Sequence, residues 1–149
     1  MRLLLSLALA LGLTVPAIAE EALPTEYTVE MWNQDPEDRS RRMVFSEEII
    51  SVAPGATVTW SATDRGHNVE FVDGPDGVDL PARSAIGKDF EHVFTEPGVY
   101  VYVCTPHASM CMIGIVVVGE ATEESIAQAA DARMRGSSAR KLAELLDQL

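Results

Sequence analysis

Cysteine and histidine are scarce in this chain, and positive charge is outnumbered two to one. Its 149 residues hold two cysteines, Cys104 and Cys111, and three histidines, His67, His92 and His107. That is too few for an enzyme built on several histidine-ligated metal ions. Eleven Lys and Arg stand against 23 Asp and Glu, a formal charge of −12. Such an excess of acid argues against sequence-independent nucleic-acid binding, which needs a basic face to neutralise phosphates. Apolar residues make up 47 % of the chain, too many for a disordered tail and too interrupted for a multi-span membrane protein. What fits is one domain of ordinary size with enough length to bury a core.

The first 19 residues, MRLLLSLALALGLTVPAIA, combine Arg2, a short apolar run and the small residues Ala17-Ile18-Ala19. This is the pattern of a cleaved secretory signal. An uncleaved anchor or a buried helix is the alternative, but the run is short for a span and Glu20-Glu21 is no stop-transfer signal. The expected plan is a signal peptide over 1–19, a strand-rich domain over 20–120 and a helical extension over 121–149. The exported chain would have 130 residues and a formal charge of −13.

Period-two alternation and Gly/Pro turns dominate from residue 25 to 119. In 25–33, Tyr27, Val29 and Met31 oppose Thr28, Glu30 and Trp32. Short strands are expected over 43–45, 48–52, 57–61, 67–72 and 88–94, with a polar loop at 34–42 and an acidic Gly/Pro loop at 73–79. In 99–104 the three valines Val99, Val101 and Val103 oppose Tyr100, Tyr102 and Cys104; 113–118 is nearly all β-branched, as for a strand buried on both faces. Seven or eight such strands imply an all-β sandwich or small barrel. Trp32 and Trp60 are expected in its core. After Gly119 the pattern becomes helical. Thr122 can cap a helix over 123–134, Gly136 stops it, and Leu142, Leu145, Leu146 and Leu149 form the stripe of a second helix packed on the sandwich.

The chemistry is concentrated in Cys104-Thr105-Pro106-His107-Ala108-Ser109-Met110-Cys111-Met112, between two strands. A thiolate, an imidazole and a thioether suit copper, and Gly66-His67-Asn68-Val69 offers a second imidazole far upstream. A His₂Cys set with a weak axial Met is the coordination of a blue-copper electron-transfer site. Other readings of these residues stay open. The two cysteines of an exported protein can form a disulfide. Cys104, His107, Cys111 and His67 could make a Cys₂His₂ zinc site. Met110, Cys111 and Met112 could form a soft Cu(I) cluster for metal delivery. His92, sharing a strand face with Phe90 and Phe94, reads as packing rather than ligation.

The pieces Met43-Val44-Phe45, Val52-Ala53-Pro54-Gly55, Gly66-His67-Asn68-Val69-Glu70, Pro97-Gly98-Val99-Tyr100 and Cys104-Thr105-Pro106-His107 through Met112, in that order, resemble the cupredoxins and, within them, the pseudoazurin family. The resemblance covers about residues 25–148. It implies a cupredoxin-like Greek-key β-sandwich over 20–120 with two C-terminal α-helices packed on it. It also implies one copper ion held by His67, Cys104, His107 and Met112, with Met110 a non-ligand. Asn68 would brace the ligand loop, Met43 would lie near the exposed histidine, and Thr105-Pro106 would stiffen the loop. The implied function is a monomeric periplasmic electron carrier, not an enzyme, passing electrons through His107. Its implied partners are nitrite reductase, nitrous oxide reductase or c-type cytochromes, with neither nucleic acid nor membrane bound after signal cleavage. Delivery of copper is the alternative function.

Two features depart from that family. Cys111 stands where glycine is usual, and the chain is acidic where family members often carry a ring of lysines. Arg65 matches one basic position, and Arg41, Arg42, Arg83 and Lys88 are candidates for others.

Overall fold

The computed structural model describes residues 22–134 and 136–149. The expected signal peptide over 1–19 lies outside them. Eight strands form two four-stranded sheets: β1 (Glu26–Gln34), β2 (Arg42–Phe45), β3 (Ile49–Val52), β4 (Ala56–Ser61), β5 (Glu70–Asp73), β6 (Phe90–Phe94), β7 (Gly98–Val103) and β8 (Ile113–Val118). One sheet runs β2-β1-β4-β6, the other β3-β8-β7-β5. β1 and β4 pair in parallel, as do β3 and β8, so strands cross between the sheets and the fold is a sandwich, not a meander.

Alternation decides what each strand buries. Along β7, Tyr100 and Tyr102, followed by Cys104, face the core between the sheets, with Val29, Met31, Phe45, Trp60, Phe71, Phe94 and Met112. Val99, Val101 and Val103 face the other way, into a second core with Ile113, Ile115 and Val117 of β8. All six residues of β8 are buried, because one of its faces meets the sandwich core and the other meets helices.

Those helices are α1 (Glu123–Ala130) and α2 (Ser137–Leu146). Thr122 caps α1: its hydroxyl accepts the Ser125 N–H at 3.2 Å, and the Ser125 hydroxyl accepts the Thr122 N–H at 3.0 Å. This reciprocal arrangement satisfies two otherwise orphaned donors. Leu142, Leu145 and Leu146 of α2 are buried against the valine face of β7 and β8, and full burial of each such side chain contributes about 1.5–3 kcal/mol. Lys141 Nζ reaches Glu48 Oε2 at 2.7 Å, tying α2 to the turn before β3. Among the described residues, no helix is long and apolar enough to cross a membrane.

The structure changes several sequence expectations. The strand expected over 67–72 starts only at Glu70, because His67 and Val69 spend backbone bonds on the 84–87 loop: Gly87 N–H donates to the His67 carbonyl at 2.8 Å and Ser84 N–H to the Val69 carbonyl at 2.9 Å. α1 ends at Ala130, with Asp131 as its C-cap, four residues short of the expected end. Leu149 is 38 % exposed and lies outside the stripe of α2. Trp60 is wholly buried, but Trp32 is only half-buried, and its Nε1–H donates to Glu30 Oε2 at 2.8 Å. Period two requires this, since Trp32 neighbours the fully buried Met31 and must point away from the core.

Candidate metal centre

Three loops meet at one end of the sandwich. The first follows β4 and carries His67. The second joins β7 to β8 and carries Cys104, His107 and Met112, with residues Thr105–Met110 in a 3₁₀ helix. The third, 84–87, binds the first through its backbone. Pro106 lies in the first turn of the 3₁₀ helix, where its missing N–H costs nothing. The Cys104 N–H donates to the Met112 carbonyl at 3.0 Å, closing the loop onto itself, and the Met112 N–H donates to the His107 carbonyl at 3.3 Å.

The side chains converge. Cys104 Sγ lies 3.6 Å from His67 Nδ1 and 3.3 Å from His107 Nδ1. The two imidazole centroids are 4.8 Å apart. The ligand atoms of His67, Cys104 and His107 all lie within 4.8 Å of one another. A metal bonded to nitrogen and sulfur at about 2.0–2.3 Å sets those two atoms about 3.5 Å apart, so these residues fit an ion. Both Cys104 and His67 are fully buried and Met112 is 1 % exposed, whereas the His107 ring is half-buried. A thiol and two imidazole nitrogens, with a buried thioether in the same loop, favour copper over harder ions.

The supporting hydrogen bonds are specific. The Asn68 side chain spans two loops: its Oδ1 accepts the Thr105 N–H at 2.8 Å, and its Nδ2 donates to Thr105 Oγ1 at 3.2 Å. Thr105 Oγ1 donates in turn to Glu70 Oε2 at 2.9 Å. This is the bracing contact the resemblance implied. Burial pushes the Cys104 thiol pKa up, and the backbone N–H groups of Asn68 and His107 pull it partway back. Burial, and then the neighbouring His107, lower the His67 pKa, with Asp64 opposing. Both effects favour the neutral imidazole, the form in which histidine ligates a metal.

Asn33 is a site residue that sequence reasoning missed. Its Oδ1 accepts a hydrogen bond from His67 Nε2 at 3.0 Å, and its own N–H donates to Asp64 Oδ2 at 2.7 Å. Fixing the proton on Nε2 leaves the Nδ1 lone pair facing Cys104. Replacing Asn33 with alanine is expected to weaken metal binding about tenfold. That is the lower end of the range for such supporting groups, because Asn33 reaches solvent. A competition titration against a chelator measures it.

Cys111 stays outside the cluster, so no Cys₂His₂ set is assembled. Both cysteines are free thiols. Cys111 adopts φ 67 and ψ 27, the left-handed region, and its N–H closes the 3₁₀ helix onto the Ala108 carbonyl at 3.0 Å. A side chain there costs about 1–2 kcal/mol, while glycine gives back about 0.4–1 kcal/mol through the unfolded state. Cys111→Gly is therefore expected to stabilise the fold by up to about 1.5 kcal/mol and to leave the metal spectrum intact, as read by denaturant unfolding and visible absorption.

His92 packs edge-on against Phe94 at 4.7 Å between ring centroids and takes no part in the cluster. Arg41 is committed to Asp35 at 2.6 Å and approaches Glu48 at 3.9 Å, which removes it from the basic positions available to a partner. Lys88 adjoins Gly87 and Arg83 adjoins Ser84, whose N–H groups donate to the His67 and Val69 carbonyls, and Arg65 lies two residues before His67.

Comparison with known proteins points the same way. Residues 33–119 match the family described as copper binding proteins, plastocyanin/azurin family. The chain is 37 % identical over 117 residues to a pseudoazurin from Methylorubrum extorquens, covering 77 % of this chain and 73 % of that one. It is 36 % identical over 109 residues to a pseudoazurin from Paracoccus pantotrophus, covering 72 % of each. The crystal structure of native pseudoazurin from Hyphomicrobium denitrificans superposes with a TM-score of 0.73 at 30 % identity, over 83 % of this chain and 98 % of that one.

Proposed function

Because the chain belongs to the plastocyanin/azurin family of copper-binding proteins, and within it to the pseudoazurins, we propose that it is a periplasmic blue-copper carrier whose single copper ion is held by His67, Cys104, His107 and Met112. The convergence of Cys104 Sγ with the Nδ1 atoms of both histidines carries this reading. When bound, copper supplies a one-electron change between Cu(II) and Cu(I).

The residues supply everything else. Cys104 and His67 are buried beneath the surface, Asn33 bonds the His67 ring, and Asn68 bonds Thr105 beside Cys104. A braced ligand set resists the rearrangement that each oxidation state would otherwise favour, which keeps the cost of transfer low. His107 alone of the four is open at one edge. Around it the 3₁₀ helix exposes Pro106 and Met110, the latter 52 % exposed, and the adjoining loop exposes Ile86 at 60 %. An apolar patch at a half-open ligand suits a small, quickly released interface. Arg65, Arg83 and Lys88, with Arg42 beside Met43, would turn that end toward an acidic redox partner, a nitrite reductase, nitrous oxide reductase or c-type cytochrome. In this reading the protein acts as a carrier, passing single electrons, and not as an enzyme. The domain plan follows: export signal over 1–19, copper domain over 20–120, helical extension over 121–149.

The axial role is tested by substitution. Met112→Gln is expected to keep a copper site but lower its reduction potential, whereas Met110→Gln leaves the potential unchanged. Protein-film voltammetry reads both. A potential that moves with Met110 and not with Met112 would transfer the weight to a soft-ligand delivery site.

A further inference from the structure

A pocket of about 260 Å³ opens between the ligand loop and the corner where α1 turns into α2. Val72, Val103, Ala108 and Met134 line it together with Ser109, Ser138 and the exposed Arg133. Among the described residues its lining is mostly apolar, with one cation and no carboxylate. That is unusual on a chain with 23 acids. Three other grooves on the molecule each carry carboxylates, from Glu26 and Glu91, from Glu47 and Glu48, and from Asp35 and Glu37. Arg133 is exposed and forms no ion pair among the described residues. The Ser138 hydroxyl is already used, donating to the Ala108 carbonyl, which leaves the Arg133 guanidinium and the Ser109 hydroxyl to read a polar ligand end, and of these Arg133 carries the charge.

We propose that this pocket binds a small amphipathic anion, a medium-chain carboxylate whose alkyl tail fills the space between Ala108 and Met134 while its head pairs with Arg133. The volume sets the tail length. At about 30 Å³ per water-sized group, the pocket takes roughly eight or nine methylenes or their equivalent. The apolar walls supply the affinity and the guanidinium supplies the sign of the charge. The occupant would lie against Ala108, one residue from His107, so the helical extension and the copper loop share a ligand surface. The site is independent of the copper reading, because none of its walls is one of the four ligands.

The test uses the protein loaded with Cu(I), which is diamagnetic, and sodium octanoate as the probe in ¹H–¹⁵N NMR titrations. Saturable shifts are expected at Val72, Ala108, Met134 and Ser138. Shortening the probe by two carbons should weaken binding about tenfold, and lengthening it beyond about ten carbons should bring no further gain. Octanamide, which lacks the charge, and the exposed substitution Arg133→Gln should each weaken binding about fivefold. Val72→Phe fills the pocket and should abolish the shifts; Arg133→Gln keeps the proposal testable should that variant fail to fold. Shifts scattered over Arg65, Arg83 and Lys88 and indifferent to Arg133→Gln would overturn it. So would octanoate producing no saturable shift at Ala108 and Met134.

Discussion

Cys104→Ser is expected to abolish the intense visible absorption of the copper-loaded protein, while Cys111→Ser leaves it in place. The two thiols lie seven residues apart in one loop but in opposite situations. Cys104 is fully buried, with its sulfur at 3.3 and 3.6 Å from two imidazole nitrogens; Cys111 is partly exposed and outside the cluster. A serine oxygen is a harder and more weakly charge-donating ligand than a thiolate, so the charge-transfer band disappears with the sulfur. Copper affinity should fall by more than about 100-fold, the upper end of what losing a ligand's supporting group costs. The fold should survive, because the exchange is nearly isosteric. Absorption and paramagnetic resonance of the two variants, titrated with Cu(II) side by side, measure this. Retention of the band in Cys104→Ser, or its loss in Cys111→Ser, would reverse the assignment.

The largest expected effect on stability lies one strand register away. Gly114 sits directly opposite Tyr102 in the β7–β8 ladder, and a Cβ at Gly114 would come within 2.2 Å of Tyr102 Cζ and 2.3 Å of its hydroxyl oxygen. The tyrosine ring cannot swing aside, for Phe45, Trp60 and Phe71 surround it at centroid distances of 4.8, 5.2 and 5.6 Å. Gly114→Ala is therefore expected to cost about 3 kcal/mol or more. Tyr102→Leu in the same chain should recover about 1–3 kcal/mol, the coupling expected of residues in direct contact. Urea unfolding of the two single variants and the double variant gives that cycle. The site depends on this pair as well, since Tyr102 and Gly114 each lie two residues from a ligand, Cys104 and Met112. An additive cycle would show that the glycine is there for another reason.

Much of this architecture is legible in the chain because two-fold periodicity is a local property. Val99, Val101 and Val103 alternate with Tyr100, Tyr102 and Cys104, and the sandwich places those two sets in two different cores. The six aliphatic or small residues of β8 announce a strand covered on both sides, which the helices supply. The ligand loop is equally local, since three of its soft side chains fall within nine residues. What the chain conceals is contact over distance. Asn33 lies 34 residues from His67, and nothing around it distinguishes an asparagine that orients an imidazole from one that ends a strand. The early start expected for β5 fails for a similar reason. His67 and Val69 have extended character, but a loop 15 to 20 residues further on takes their carbonyls before a strand can. Trp32 shows that size is a poorer guide than phase, because its alternation with Met31 points it outward despite its large apolar ring.

The measurement that tests the account most directly is the visible spectrum of the protein, thiols reduced, as Cu(II) is added in steps to and beyond one equivalent. An intense thiolate-to-copper band is expected to grow linearly and to stop at one copper per chain, because one buried sulfur faces two imidazole nitrogens at a single point. A colourless product, or a band that keeps growing as Cys111 takes up a second ion, would contradict it.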